Sequence, residues 1–158
     1  NSGSVYSRAS DLIAGEKQMS LSMSKQQREQ FLADLHVGVV SMNRKDHGPL
    51  SAPIWYDYVD GVVGFTTGQD SRKGKLMQIG DRISMVAQSE TAPYQYVSVE
   101  GPIISRQQAV LDRDIRPMAI RYLGEKMGNA YADGSSDEGN VVVKMQPEKW
   151  LTVDYSKA

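Results

Sequence analysis

The chain has 158 residues, enough for one domain with a full hydrophobic core. Its 18 Lys plus Arg stand against 19 Asp plus Glu, a formal net charge of -1 that excludes a general electrostatic pull toward nucleic acid or an acidic membrane surface. Cysteine is absent, which removes disulfides, thiolate metal sites and a cysteine nucleophile and is compatible with a cytoplasmic location; no apolar run approaches the roughly 20 residues that span a bilayer.

The opening NSGS reads as an expression remnant, and residues 1–22 as an N-terminal arm or such a remnant plus an extra helix. The folded domain is expected over 23–156. Ser24-Lys25-Gln26-Gln27 predicts a helix start, with Ser24 as cap and Gln27 at the capping-box position. Phe31, Leu32 and Leu35 supply its apolar stripe. The helix is expected to give way near His36, where Val37-Gly38-Val39-Val40 turns strand-like. Residues 43–49, NRKDHGP, read as a polar loop. Strands are predicted over 52–58 and 62–66, joined by a tight Asp60-Gly61 turn.

Beyond them, Arg72 to Ile79 reads as a short helix with Leu76 and Ile79 facing the core. Residues 82–88 predict a strand with Ile83, Met85 and Ala87 on one side, and 94–101 another. Helices are expected over 105–114 and 117–123, with Pro117 in a first turn and Gly124 as the stop. Strands over 140–146 and 150–154 close the chain. The strands stand too close together for parallel crossovers, so the fold class is mainly β, an antiparallel barrel with peripheral helices. Residues 43–50 and 124–139 are read as loops that select a substrate.

The segment Thr66-Thr67-Gly68-Gln69-Asp70-Ser71-Arg72-Lys73-Gly74-Lys75 sits where a strand ends. Arg72 offers a planar fork of donors, Lys73 an ammonium, and Thr66, Thr67 and Ser71 hydroxyls. From pattern alone it reads as either a phosphate seat or a solvated turn. It has neither the Walker spacing nor the Rossmann glycine pattern. His36 and His47 are eleven apart with no third histidine, so no metal site is read. Met77, Met85, Met118 and Met127 read as core fillers. Tyr56 and Tyr58, on one side of their strand, and Trp55, on the other, read as either a cofactor wall or packing.

GVVGFTTGQDSRKGKLMQIGDRISMVAQ resembles the flavin-binding core of the pyridoxamine 5'-phosphate oxidase-like split barrels, whose superfamily includes enzymes of the deazaflavin F420. FLADLHVGVVSMN, GPLSAPIWYDY, APYQYVSVEGPI and RYLGE resemble further pieces of it in the same order, over roughly 24–154. The resemblance implies an antiparallel split β-barrel of the FMN-binding type. It passes the cofactor phosphate to Arg72 and Lys73, with Thr66, Thr67 and Ser71 beside them. It sets Ser51, Ala52, Pro53, Ile54 and Trp55 along the ring, and Gln95 and Tyr96 near it. It implies a homodimer with shared cofactor sites and a small-molecule substrate.

The oxidases themselves carry an arginine near Ala52 and a lysine near Tyr56. Neither is present, which points away from pyridoxamine phosphate oxidation. The expected activity is an F420H2-dependent reductase passing hydride to a small organic substrate. The alternatives are an FMN oxidoreductase of the same fold and a non-enzymatic barrel that stores a flavin or haem. The catalytic residue is left open, because the cofactor carries the redox chemistry.

Overall fold

The computed structural model describes residues 21–158, so the arm expected over 1–22 lies outside the described residues except for its last two positions. Helix α1 spans Lys25–Ala33 and buries Phe31 and Leu32. Its capping box is complete: the Ser24 hydroxyl accepts from the Gln27 N–H at 3.2 Å, and the Gln27 side-chain oxygen accepts from the Ser24 N–H at 2.9 Å. It ends at Ala33, short of His36. There Arg121 Nη2 donates to the carbonyls of Ala33 and Asp34, each at 3.0 Å, and satisfies the helix end.

Strands β1 (Gly38–Arg44) and β2 (His47–Ile54) form a tight hairpin. The polar loop expected over 43–49 is therefore not there. Only Lys45 and Asp46 turn, with Asp46 at φ 59. Gly48 and Pro49 continue β2, which among the described residues pairs with β1 alone, and an edge strand tolerates proline's missing N–H.

The strand expected over 52–58 is broken at Trp55 and Tyr56, and β3 is only Asp57–Val59. The cause lies in a distant helix. The Tyr56 N–H donates to the Tyr122 hydroxyl at 3.0 Å, and Arg121 Nε donates to the Tyr56 carbonyl at 3.1 Å. Two side chains thus replace a strand partner. Asp60 (φ 53) and Gly61 (φ 77) form the expected turn into β4, Val62–Gly68.

Helix α2 is one turn, Arg72–Lys75, not the expected run to Ile79. The Asp81 carboxylate accepts from the Gln78 N–H at 2.9 Å, and Gly80 turns the chain at φ 93. Met77 is fully buried and Leu76 partly so, while Ile79 is exposed. Strand β5 (Arg82–Gln88) buries Ile83, Met85 and Ala87 as expected.

Strand β6 runs from Gln95 to Gln108, and the helix expected over 105–114 shrinks to a π-helical turn, Leu111–Ile115. Pairing with a strand far along the chain overrides the local pattern: Ser105 to Gln108 pair with β7, Asn140–Met145. Gly101 lets β6 pass under the next segment, since a Cβ there would meet the Gln146 carbonyl oxygen at 1.7 Å.

Helix α3 (Arg116–Leu123) starts with Pro117 in its first turn and stops at Gly124 (φ 85), as expected. Helix α4 (Glu125–Asp133) occupies the stretch read as a loop. It packs backbone to backbone on α3 at Gly128, where a Cβ would lie 2.5 Å from the Ile120 Cα. Strand β8 spans Lys149–Asp154.

The strands run in the order β2-β1-β5-β6-β7-β4-β3, all antiparallel, with β8 on the first half of β6. The long β6 serves both halves, β5 and β8 on one side of its bulge and β7 on the other. The sheet does not close, and the architecture is a split β-barrel with peripheral helices. Tyr56, Phe65, Leu32, Met42, Met77 and Met85 fill the core. Met118 is half-buried and Met127 exposed, so only two of the four expected methionines are core fillers. No helix among the described residues is long and apolar enough to cross a membrane.

Candidate functional site

Along β4 the side chains alternate. Val63, Phe65 and Thr67 point into the core, while Gly64, Thr66 and Gly68 take the outward face. The helices α3 and α4 stand beside that face and leave a chamber of about 430 Å³. Pro53, Ile54, Trp55, Thr66, Lys73 and Tyr131 are among its lining residues. Its aromatic wall is built on Trp55, whose ring stacks on that of Tyr122 at 5.2 Å and meets that of Tyr131, tilted by 54°, at 5.6 Å.

The turn after β4 forms one end of the chamber. Ser71 caps it, accepting from the Gly74 N–H at 3.0 Å and donating to the Gly68 carbonyl at 2.7 Å. Its hydroxyl proton is spent inside the turn, so Ser71 shapes the seat. Thr67 is buried, with its Oγ1 3.5 Å from the Ser71 Oγ. Arg72 is exposed and Lys73 half-buried, and among the described residues neither forms an ion pair. A Cβ on Gly74 would lie 2.0 Å from the Gly68 carbonyl oxygen, so only glycine lets the turn close on the strand end.

Arg106, on β6, ties the turn down from behind. Its Nη1 donates to the carbonyls of Gly74 at 2.7 Å and Met77 at 3.0 Å, and its Nη2 to that of Gln69 at 3.4 Å. Holding three carbonyls on the Arg106 side fixes the turn that carries Arg72 and Lys73. This residue escapes a sequence reading, because it lies in a stretch that reads as helix.

The fold brings Pro53, Ile54, Trp55, Thr66 and Lys73 to one chamber, with Thr67, Ser71 and Arg72 in or beside its floor turn. Ser51 lies outside it, its hydroxyl 2.8 Å from that of Ser41, and Ala52 sits opposite Val40. Gln95 and Tyr96 stand across from Asp154 and Val153 on β8, at the other half of the barrel. Burial raises the Asp154 carboxyl, but hydrogen bonds from Ser156 and the Gln95 side chain outweigh it and hold the group below the usual carboxylate range. Tyr56 and Tyr58 turn to packing: Tyr56 is buried with its hydroxyl on the Leu32 carbonyl at 2.7 Å, and the Tyr58 hydroxyl meets Glu29 at 3.2 Å. The signal that could have found Tyr131 is Gly128 and Ala132, small residues four apart on a helix face.

No protein-family model matches the chain, and no curated protein matches its sequence. Solved structures do share the fold. A conserved hypothetical protein from Mycobacterium tuberculosis superposes with a TM-score of 0.71 at 20% identity, over 89% of this chain and 91% of that one. An F420 reductase superposes at 0.56 and 19% identity, over 78% and 94%. A FAD-binding protein from Mesorhizobium loti does so at 0.61 and 16% identity, over 83% and 94%. Pyridoxamine 5'-phosphate oxidase-like proteins share the fold as well, so the split barrel is the one the sequence resemblance implies.

Proposed function

We propose that the chain is an oxidoreductase of the flavin type, an F420H2-dependent reductase that passes hydride to a small organic substrate. One observation carries this reading: Thr66 and Lys73 open into the same chamber as the Pro53–Trp55 segment and its aromatic wall. A phosphate needs the first pair, and a flat apolar ring needs the second. A chamber of about 430 Å³ lies in the range of small-molecule sites. Similarity in fold to an F420 reductase and a FAD-binding protein supports the same class.

A flavin or deazaflavin supplies the hydride chemistry when bound. The chain's part is to hold and orient. Lys73 and Arg72 present positive charge at the seat, and Thr66 lines the chamber together with Lys73 and Trp55. Ser71, Gly74 and Arg106 keep the turn in shape. The Trp55 face, backed by Tyr122, would cover one side of a bound ring and keep water from it.

A second reading is an FMN oxidoreductase of the same fold, favoured by the flavin-binding structures that share it. The seat recognises phosphate in either case. A homodimer with shared sites belongs to both readings, and the exposed Leu35, Val37 and Val39, of which Val37 lines the chamber, give it an apolar surface. Gln95 and Tyr96 would then face a partner's site.

The test is a side-by-side calorimetric titration of the purified protein with F420 and FMN. Tighter binding of F420 supports the reductase, and tighter binding of FMN supports the second reading. No binding of either sinks both and leaves a barrel for another ligand.

A further inference from the structure

A second chamber of about 440 Å³ adjoins the first, sharing Thr66 and Met118 with it. Its floor follows from strand register. Asp57 on β3 and Lys144 on β7 are both paired with Gly64 on β4. An acid, a glycine and a base therefore form one row across three strands, with side chains on one face. Strand spacing puts the two outer Cα atoms roughly 10 Å apart. A Cβ on Gly64 would lie 2.8 Å from Asp57 Oδ1 and 3.9 Å from Lys144 Cγ. The bare glycine is what lets the carboxylate lean over the strand, with the lysine stem on its far side.

The two charges do not close on each other, since no ion pair within 4.0 Å joins them. Three of the other charges around the chamber are already engaged. Arg113 pairs with Asp114 at 2.9 Å, and Arg121 holds the carbonyls of Tyr56, Ala33 and Asp34. Burial pushes the Asp57 carboxyl above the usual carboxylate range, with Arg121 and Lys144 opposing that shift and Asp114 adding to it. The lining carries three acids, Asp57, Asp60 and Asp114, and three bases, Arg113, Arg121 and Lys144. A ligand group of one sign would meet one end of the row and be repelled by the other. A group carrying both signs satisfies both ends.

We propose that this chamber binds a small zwitterion of dipeptide type, whose two charges stand several bonds apart, its ammonium on Asp57 and its carboxylate on Lys144. The site needs nothing in the first chamber, and a longer ligand would reach that chamber past Met118.

The test is a titration of the full chain, without redox cofactor, followed through the backbone amide resonances of Gly64 and Lys144. The probe is glycylglycine near neutral pH, with N-acetylglycine as its anion-only analogue and glycinamide as its cation-only analogue. Glycylglycine is expected to give saturable shifts at those amides, and each analogue to bind about tenfold more weakly, the equivalent of one charge-assisted hydrogen bond. Asp57→Asn and Lys144→Met are each expected to weaken glycylglycine by a similar factor, with the rest of the spectrum unchanged. The proposal is overturned by absent saturable shifts, by analogues that bind as well as glycylglycine, or by variants that bind like wild type. Failure of F420 and FMN titrations would leave it standing.

Discussion

The rings of Trp55 and Tyr122 lie 5.2 Å apart and within 6° of parallel, while the Tyr122 hydroxyl accepts the Tyr56 N–H at 3.0 Å. One helix residue thus builds the chamber wall and breaks the strand that carries it. Tyr122→Phe keeps the ring and removes the hydroxyl. Unfolding in denaturant is expected to show a loss of about 1–2 kcal/mol, the cost of an unpaired, partly buried backbone donor. Cofactor affinity is expected to hold, because the stack survives. Wild-type stability in this variant would contradict the strand-break assignment.

Arg72→Ala combined with Lys73→Ala is expected to weaken F420 or FMN strongly, by about 1.5–3 kcal/mol for each charge-assisted hydrogen bond to the phosphate that is removed. The fold should survive, since neither cation is buried. Titration calorimetry reads the weakening directly. Affinity within about twofold of wild type, where one such bond is worth tenfold or more, would remove the phosphate assignment.

Arg106 tests the seat from behind, because its guanidinium donates to carbonyls of the turn and its flank. Arg106→Lys keeps the charge but not the fork. It is expected to raise the Kd for F420 or FMN several-fold and to cost about 1–3 kcal/mol of stability. If the two effects are instead separable, with stability reduced and affinity kept, the turn does not need to be held for binding.

Gly74→Ala drives a methyl group into the Gly68 carbonyl oxygen, 2.0 Å from the ideal Cβ position. The turn must lift off the strand end. A stability loss of about 1–3 kcal/mol is expected from overpacking, with cofactor affinity falling as the seat opens. A thermal melt and a binding titration on the same variant check both.

The Asp57 carboxyl is raised above its unfolded value by burial, with Arg121 and Lys144 opposing and Asp114 reinforcing the shift. The folded state then holds this proton more tightly than the unfolded state. Its contribution to stability is largest below the unfolded carboxylate pKa and is lost as pH rises through the folded one. Asp57→Asn is therefore expected to raise Tm relative to wild type at neutral pH, with the difference shrinking as pH falls through the raised folded value and closing near the unfolded carboxylate value of about 4. An unchanged gap across that range would mean that burial does not raise this group.

Much of the local architecture was legible residue by residue. Ser24 and Gln27 announce the start of α1, Asp60-Gly61 the hairpin turn into β4, and Pro117 and Gly124 the ends of α3. Each is a hydrogen bond or a dihedral set within a few residues of chain. The TTGQDSRKGK turn was legible as a seat with two readings. Arg106 was not, because its partners lie some thirty residues back.

Caps, tight turns, alternating strands and the cations after β4 have causes that lie within a few residues, and the order of residues alone fixes them. Tertiary structure alone decided which of them meet. Residues 105–108 are strand because β7 pairs with them, Tyr56 leaves the sheet because Tyr122 and Arg121 take its N–H and carbonyl, and Gln95 stands opposite Asp154. The row Asp57–Gly64–Lys144 exists only through the register of three strands. Backbone groups and charges take whichever partners the folded chain brings near, and no window of sequence contains partners that lie about 60 or 80 residues away.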